Sequence, residues 1–207
     1  MAATPATVPG VTIEQTQVSH RERLINAIAG SIEEKGYRET TVADVVRIAR
    51  TSRRTFYEHF EDRDACYLAL FDAVNDETME HIAAAVQPDE PIDAQVDRAL
   101  DAYIDSITAH PALYRSFVHE LPSLGRPGAD RMTGVTERFA GLLVTLVDFA
   151  RQQQPEIARP LTLDTAIMIV GGLRELAVIS LQQGRDVREL RATAGRTIKA
   201  ILAGELL

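Results

Sequence analysis

Residues 41–63 read TVADVVRIARTSRRTFYEHFEDR, and this stretch decides the fold of the N-terminal part of the chain. Thr41 and Asp44 have the spacing of a capping box, in which the hydroxyl accepts from the amide three residues on and the carboxylate accepts from the cap amide. The short helix that this box opens ends near Arg50, and the Thr51–Ser52 pair offers a cap for the next helix. Two helices joined by so short a turn predict a helix-turn-helix unit.

The second helix of this unit spans Arg53–Phe60 and has an apolar and a polar face. Phe56 and Phe60 lie four residues apart, so both are expected to point inward against the preceding helices. The side chains left outside are Arg53, Arg54, Thr55, Tyr57 and His59. Outward cations and hydroxyls suit phosphates and base edges, and an arginine at the start of such a helix can bind a guanine through two hydrogen bonds. Solvated arginines, a packing role for Tyr57 and a surface role for His59 are the alternatives.

The rest of the chain reads as successive amphipathic helices, and no segment shows strict period-two alternation between hairpin turns. A helix over about 20–35 ends at Gly36, and Asp62 caps a long helix that reaches about Val86. Further helices are predicted over about 92–107, 113–121, 132–149, 163–181 and 187–201, with a loop at 122–128. The expected fold class is all-α, with about nine helices in total, a three-helix N-terminal domain and a larger helical domain.

Composition and charge narrow the class further. The chain has 207 residues, 45% of them hydrophobic, one cysteine and a formal net charge of −8. These values exclude a disordered chain and a disulfide framework, and no uncharged apolar run reaches the roughly 20 residues that span a bilayer. Residues 41–60 carry a net charge of +2, whereas residues 61–207 hold 14 basic and 23 acidic side chains. An acidic remainder should repel DNA and so confine nucleic-acid contact to the basic helices.

The first nineteen residues have neither a basic start nor an apolar signal-peptide core. They are interpreted as a mobile tail, and the protein is expected to be cytoplasmic.

Residues 40–44 and 49–63 together resemble the N-terminal signature of the TetR family of transcriptional regulators, and the resemblance extends over about residues 20 to 75. Its most specific part is the Thr-Phe-Tyr-x-His-Phe core that ends at Phe60. Two positions depart from the usual pattern. Arg50 stands where the turn usually holds a glycine, and Arg63 stands where a lysine usually opens the fourth helix.

The resemblance implies a homodimer that binds a palindromic DNA operator, with one recognition helix of each subunit in a major groove. A small molecule that binds in the larger domain changes the separation of the two reading heads, and the operator is released. The implied domains are 1–19 as a tail, 20–66 as the DNA-binding domain and 67–207 as the helical ligand-binding and dimerisation domain. The residues that the resemblance places on DNA are Thr41, Thr51, Ser52, Arg53, Arg54, Thr55, Tyr57, His59 and Arg63.

The segment Leu163–Leu181 is apolar all round, which predicts burial on every side. One face can pack in its own core and another against a partner chain, and a second apolar stripe follows between Val187 and Ile201. The helices at about 163–183 and 187–203 together fit half of a four-helix dimer interface, as the family implies. A purely internal core is the alternative.

Six side chains are candidates to line an effector pocket, because pockets are mostly apolar with a few polar groups. They are Tyr103, Tyr114, Phe117, Phe139, Met168 and Arg174. Each also suits an ordinary core or surface position. Arg174 is a charge within the apolar segment, and three roles stay open for it: facing an acidic ligand, pairing with Glu175 or a neighbouring helix, and solvent exposure.

The sequence shows no Gly-rich phosphate loop, no nucleophile elbow and no metal-ligand spacing among its histidines, so no enzyme activity, cofactor or metal is predicted. The predicted function is a sequence-specific DNA-binding transcriptional regulator, a homodimeric repressor that a small-molecule effector releases. The alternative is a helix-turn-helix regulator that acts as an activator, or through a protein partner without a small-molecule effector.

Overall fold

The computed structural model describes residues 19–153 and 159–204, and within those ranges the chain forms nine α-helices and no β-strand. The all-α prediction is therefore confirmed. The helices are α1 His20–Lys35, α2 Val42–Ile48, α3 Arg53–His59, α4 Arg63–Ala85, α5 Ile92–Ala109, α6 Pro111–Glu120, α7 Arg126–Gln153, α8 Leu163–Gln182 and α9 Leu190–Ala203. The predicted mobile tail lies, except for Ser19, outside the described residues.

The first three helices pack around one apolar core. Leu24 and Ile28 of α1, Val45 of α2 and Phe56 of α3 are all fully buried in it. Phe60, which follows α3, is also buried, so the predicted inward orientation of the two phenylalanines is confirmed. Burial of a side chain of this size stabilises the fold by about 1.5–3 kcal/mol, and together these contacts fix α3 against α1 and α2.

The same core continues through α4 into α6 and α7, so the N-terminal helices, called here the head (residues 19–62), are packed onto the larger part of the chain. The rings of Tyr67 and Phe71 on α4 have their centroids 5.6 and 5.2 Å from that of Phe117 on α6. The Tyr67 hydroxyl also lies 2.9 Å from the Ser116 hydroxyl. These contacts join α4 and α6 into one unit that reaches from the head to the centre of the molecule.

A second core lies between α5, α7, α8 and α9. The apolar stripe of α9 is used here, because Leu190, Ala194 and Ile198 are buried against the chain's own helices. The expectation that this stripe faces a partner chain is wrong, because the stripe packs in the same core as Val96 and Leu100 of α5. The surface that α9 leaves to solvent is instead polar or small.

The predicted loop at 122–128 is also wrong in part, because a 3-10 turn forms at Leu121–Leu124 and α7 begins at Arg126. Gly128 lies inside the first turns of α7 and is buried. A Cβ at this position would clash with the carbonyl oxygen of Leu121. A glycine is required at this position because the helix approaches the preceding turn closely. It does not form the turn itself.

Candidate nucleic-acid interface and internal cavity

The start of α2 is the predicted capping box. The Thr41 hydroxyl accepts from the Asp44 amide at 3.3 Å, and the Asp44 carboxylate accepts from the Thr41 amide at 2.9 Å. Lys35, in the last turn of α1, forms an ion pair with the same carboxylate at 2.7 Å. The Lys35 ammonium and the Thr41 hydrogen bonds hold the pKa of Asp44 well below its usual range. Thr41 is thus exposed at the edge of the head, with its hydroxyl already engaged in the cap.

The turn between α2 and α3 contains an unusual backbone conformation. Arg50 has a φ of +50°, and it is the one non-glycine residue with positive φ in the described chain. An L-residue in this left-handed region costs roughly 1–2 kcal/mol, which explains why glycine suits the position. The Arg23 guanidinium of α1 donates to the carbonyl of Ala49 and, at 3.1 Å, to that of Arg50. The Arg23 side chain of α1 therefore stabilises the turn, and the Arg50 side chain stays exposed to solvent.

Ser52 caps the start of α3: its hydroxyl accepts from the Thr55 amide at 3.1 Å and lies 2.9 Å from the Thr55 hydroxyl. Thr51, just before it, is half-buried. The predicted N-cap is thereby confirmed. Both Ser52 and Thr55 have their hydroxyls in this local network, so their first role is to start the helix.

The outward face of α3 carries the remaining candidates. Arg53 is exposed and forms no ion pair or hydrogen bond with any described residue. Arg54 is also exposed and pairs with Glu58 one turn on, at 3.1 Å. Tyr57 is 57% exposed, and its ring edge packs on Phe56. His59 is exposed as well, with its ring 6.4 Å from that of His20. An arginine, a phenol and an imidazole thus share one solvent-facing surface.

Arg63 is placed differently from the other candidates. Its guanidinium lies over the Tyr37 ring, 4.2 Å from the centroid, and donates to the carbonyl of Thr40 at 3.0 Å. It also pairs with Asp64 at 3.2 Å. These contacts turn the side chain toward the connection between α1 and α2, which Arg63 holds in place. A phosphate contact by Arg63 stays a prediction, and such a contact requires the guanidinium to share its donors.

Four arginines lie in residues 41–60, and they differ in how far they are neutralised. Arg47 lies 3.8 Å from Asp44, and Arg54 pairs with Glu58, whereas the side chains of Arg50 and Arg53 have no acidic partner among the described residues. Unneutralised cations on one surface attract phosphates most strongly.

Arg50 was absent from the predicted contact set, although its replacement of the usual glycine was the available signal. Arg23 had no such signal, since nothing local in the sequence links it to the turn.

A cavity of about 420 Å³ lies inside the larger part of the chain, between α4, α5, α6, α7 and α8. Five of the six pocket candidates line it: Tyr103, Tyr114, Phe117, Phe139 and Arg174. Met168 does not, because α8 turns it to solvent, where its side chain is 76% exposed. The sequence missed Asn75 and Thr136, which also line the cavity and which look like ordinary helix residues in the sequence.

The cavity wall is apolar apart from a few groups. The Tyr114 hydroxyl lies 3.2 Å from that of Thr78, and the Arg174 guanidinium donates to the Thr136 hydroxyl at 3.3 Å. Burial raises the pKa of both Tyr103 and Tyr114, and the positive charge of Arg174 partly offsets that rise at Tyr103. Both phenols are therefore neutral donors at physiological pH.

The outer face of α8 exposes apolar side chains. Met168 is 76% exposed and Leu176 is 37% exposed, and Gly172 lies between them on the same exposed face. Single exposed apolar residues are normal, but Met168, Gly172 and Leu176 recur every four residues and form one row along α8, which makes this face a candidate contact surface.

The described residues hold no group of three or more His, Cys, Asp or Glu side chains placed to bind a metal ion. Among the helices that the structure describes, none is long and apolar enough to cross a membrane.

Comparison with known proteins supports the prediction that the head contains a helix-turn-helix unit. Residues 24–70 match the sequence model of the family described as bacterial regulatory proteins, tetR family. The chain is 26% identical over 168 residues to the HTH-type transcriptional regulator EthR of Mycolicibacterium smegmatis, a match that covers 79% of this chain and 76% of that protein.

Solved structures with the same architecture include two regulators named FadR. The fatty acid degradation regulator FadR of Bacillus halodurans superposes with a TM-score of 0.72 at 16% identity, covering 87% of this chain and 94% of that chain. FadR of Bacillus subtilis, solved in complex with stearoyl-CoA, gives a TM-score of 0.69 at 16% identity, over 88% and 97% of the two chains. At this level of identity the likeness shows a shared fold.

Proposed function

We propose that this chain, a member of the TetR family of bacterial transcriptional regulators, is a cytoplasmic homodimeric repressor. It binds a palindromic operator through α3 and leaves the operator when a small molecule enters the cavity. The observation that carries this proposal is the exposed face of α3 in an otherwise acidic protein. Arg53 stands there without an acidic partner in the described chain. A dimer with two such faces matches the two-fold symmetry of a palindrome.

The test uses a duplex selected from random DNA by the purified protein. Arg53→Ala should weaken binding by about 1–3 kcal/mol and relax the base preference if Arg53 reads a base, or weaken binding to all sequences alike if it contacts a phosphate. The matched control is Arg126→Ala, since Arg126 is also exposed but lies at the start of α7. Equal affinity of the Arg53 variant and wild type on the selected duplex would remove Arg53 from the interface and leave the proposal without the observation that carries it.

The proposed dimer contact is the outer face of α8 together with the polar and small side chains that α9 leaves exposed. Met168 and Leu176 supply the apolar area on α8, and the exposed α9 residues include Ala192, Thr193 and Arg196. Small residues such as Gly172 let two helices approach closely. This arrangement differs from the one first expected, because the apolar stripe of α9 faces its own core.

Packed side chains and polar contacts connect the cavity to the head, and this connection supports release of the operator by a ligand. Phe71 of α4 and Phe117 of α6 line the cavity and belong to the core that also packs against α1. Two polar contacts join the head to α6 and to the residue that precedes it: Arg38 to Glu120 at 3.1 Å, and Glu33 to His110 at 2.7 Å. A ligand that displaces α4 or α6 would therefore move the head, and with it the distance between the two α3 helices of a dimer.

An effector-free regulator would not need a cavity, and this favours the ligand-released form over action through a protein partner alone. Binding of an effector must raise the melting temperature by mass action. A small molecule that lowers affinity for the selected duplex without stabilising the protein would contradict release through this cavity.

A further inference from the structure

The cavity carries one fixed positive charge in an apolar enclosure. Arg174 is half-buried on α8, lines the cavity and donates to the Thr136 hydroxyl. No carboxylate of the described residues lies within 4.0 Å of its guanidinium nitrogens. Glu175 also lies at the cavity but is the next residue on the helix, and adjacent helical side chains do not face each other. A guanidinium is charged at any physiological pH, so it leaves a charge to be neutralised in this enclosure.

A second donor lines the same cavity. The Tyr103 hydroxyl forms no hydrogen bond with any described residue, and it is not sealed from the cavity. The Thr78 hydroxyl donates to the Val74 carbonyl at 2.8 Å, so its contact with Tyr114 takes the phenolic hydrogen of Tyr114. Among the charged and phenolic groups of the cavity, Arg174 and Tyr103 thus keep donors that a ligand acceptor can engage.

The remaining wall is mostly apolar, and its polar exceptions are Asn75, Thr136, Glu175 and Gln182. It is formed by aliphatic side chains such as Leu100, Leu142, Leu146 and Ile169, and by the ring of Phe139, whose centroid lies 6.4 Å from that of Tyr103. An apolar body excludes water from this space and strengthens the charge interaction at the polar end. A cationic ligand would meet the repulsion of Arg174.

We propose that the effector is an amphiphilic carboxylate, whose carboxylate head pairs with Arg174 and accepts from Tyr103 and whose apolar body fills the space between α5, α7 and α8. This inference rests on the proposed function, because it names the ligand class of the same cavity. A carboxylate matches the planar fork of one guanidinium. The several phosphate charges of an acyl-CoA would need more cations than the cavity offers, and a cavity of about 420 Å³ is within the usual range for small ligands.

The experiment measures binding to the full-length protein by calorimetry, with straight-chain carboxylates from hexanoate to dodecanoate as probes. Each carboxylate is compared with the alcohol and with the acyl-CoA of the same chain length. The variants are Arg174→Gln, which removes the charge and keeps a polar side chain, and Tyr103→Phe, which removes only the hydroxyl. The control is Arg115→Gln, which makes the same exchange at an exposed arginine of α6 that does not line the cavity.

At least one carboxylate should bind wild type and Arg115→Gln alike, and its affinity should fall tenfold or more in Arg174→Gln and by a smaller factor in Tyr103→Phe. The alcohols should bind more weakly and equally to all four proteins. The inference is overturned if no carboxylate binds, if the alcohols bind as well as the carboxylates, if an acyl-CoA binds more tightly than its carboxylate, or if Arg174→Gln binds carboxylates like wild type.

A parallel titration of the protein on its selected duplex separates this inference from the proposed function. Arg174-dependent carboxylate binding without loss of the DNA complex supports the ligand class and contradicts ligand release. Release of the duplex by alcohols, with Arg174→Gln responding like wild type, contradicts the ligand class and supports release.

Discussion

The left-handed turn at Arg50 makes a prediction whose size follows from the backbone. Arg50 has a φ of +50°, where an L-residue costs roughly 1–2 kcal/mol relative to glycine. Glycine returns about 0.5–1 kcal/mol of this gain through the greater freedom of the unfolded chain. Arg50→Gly should therefore stabilise the protein by about 0.5–1 kcal/mol, or roughly 1–4 °C in melting temperature for a chain of this length.

The same substitution should weaken DNA binding, because it removes an exposed cation from the edge of the reading surface. If Arg50 neutralises one phosphate, the slope of log affinity against log salt should become shallower by about 0.9 per subunit. Arg50→Lys is the matched control, since it keeps the charge and the strain and should leave both quantities near wild type. Calorimetric melting and fluorescence anisotropy across a salt series measure the two effects. The reasoning about strain is refuted if Arg50→Gly melts at or below the temperature of Arg50→Lys.

Three further perturbations test other parts of the structure. Met168→Glu should convert the dimer to a folded monomer with weak operator affinity, measured by sedimentation, whereas Ala83→Glu on the exposed side of α4 should leave a dimer; two dimers would contradict the α8 interface. Gly128→Ala should destabilise the protein by about 1–3 kcal/mol because its Cβ meets the Leu121 carbonyl, while Gly134→Ala on the same helix has open space and should stabilise it by up to about 1 kcal/mol; equal melting temperatures would show that α7 yields freely. The low pKa of Asp44 in the folded state stabilises that state at pH values above the unperturbed pKa of about 3.9. Wild type should therefore melt at a higher temperature than Asp44→Asn near neutral pH, and the difference should shrink as the pH falls below 4. A difference that does not change with pH would mean that the carboxylate charge is not what stabilises the cap.

The helix-turn-helix unit was predictable because its signals are local. The capping box of Thr41 and Asp44, the cap at Ser52 and the inward pair Phe56 and Phe60 each depend on residues three or four positions apart. Such spacings fix helix starts and faces before any tertiary contact forms. The outward surface of α3 follows directly from the inward pair.

Contacts between distant segments were not predictable in the same way. Arg23 reaches the carbonyls of the turn from α1, and Arg63 turns to the Thr40 carbonyl, although nothing next to either residue indicates these partners. The stripe of α9 is apolar whether it faces its own chain or a partner, so only the position of α5 decides the outcome. Met168 similarly belongs to a helix that is apolar all round, and its outward direction depends on how α8 packs.

The central claim is that two α3 surfaces, held by a dimer, read one palindrome. The most direct measurement is selection of duplexes from random DNA by the full-length protein, followed by footprinting of the selected site. We expect two inverted half-sites whose centres lie about 34–36 Å apart, which is one turn of the DNA helix, each protected in the major groove. Recovery of a single asymmetric half-site, or of no sequence preference at all, would contradict it.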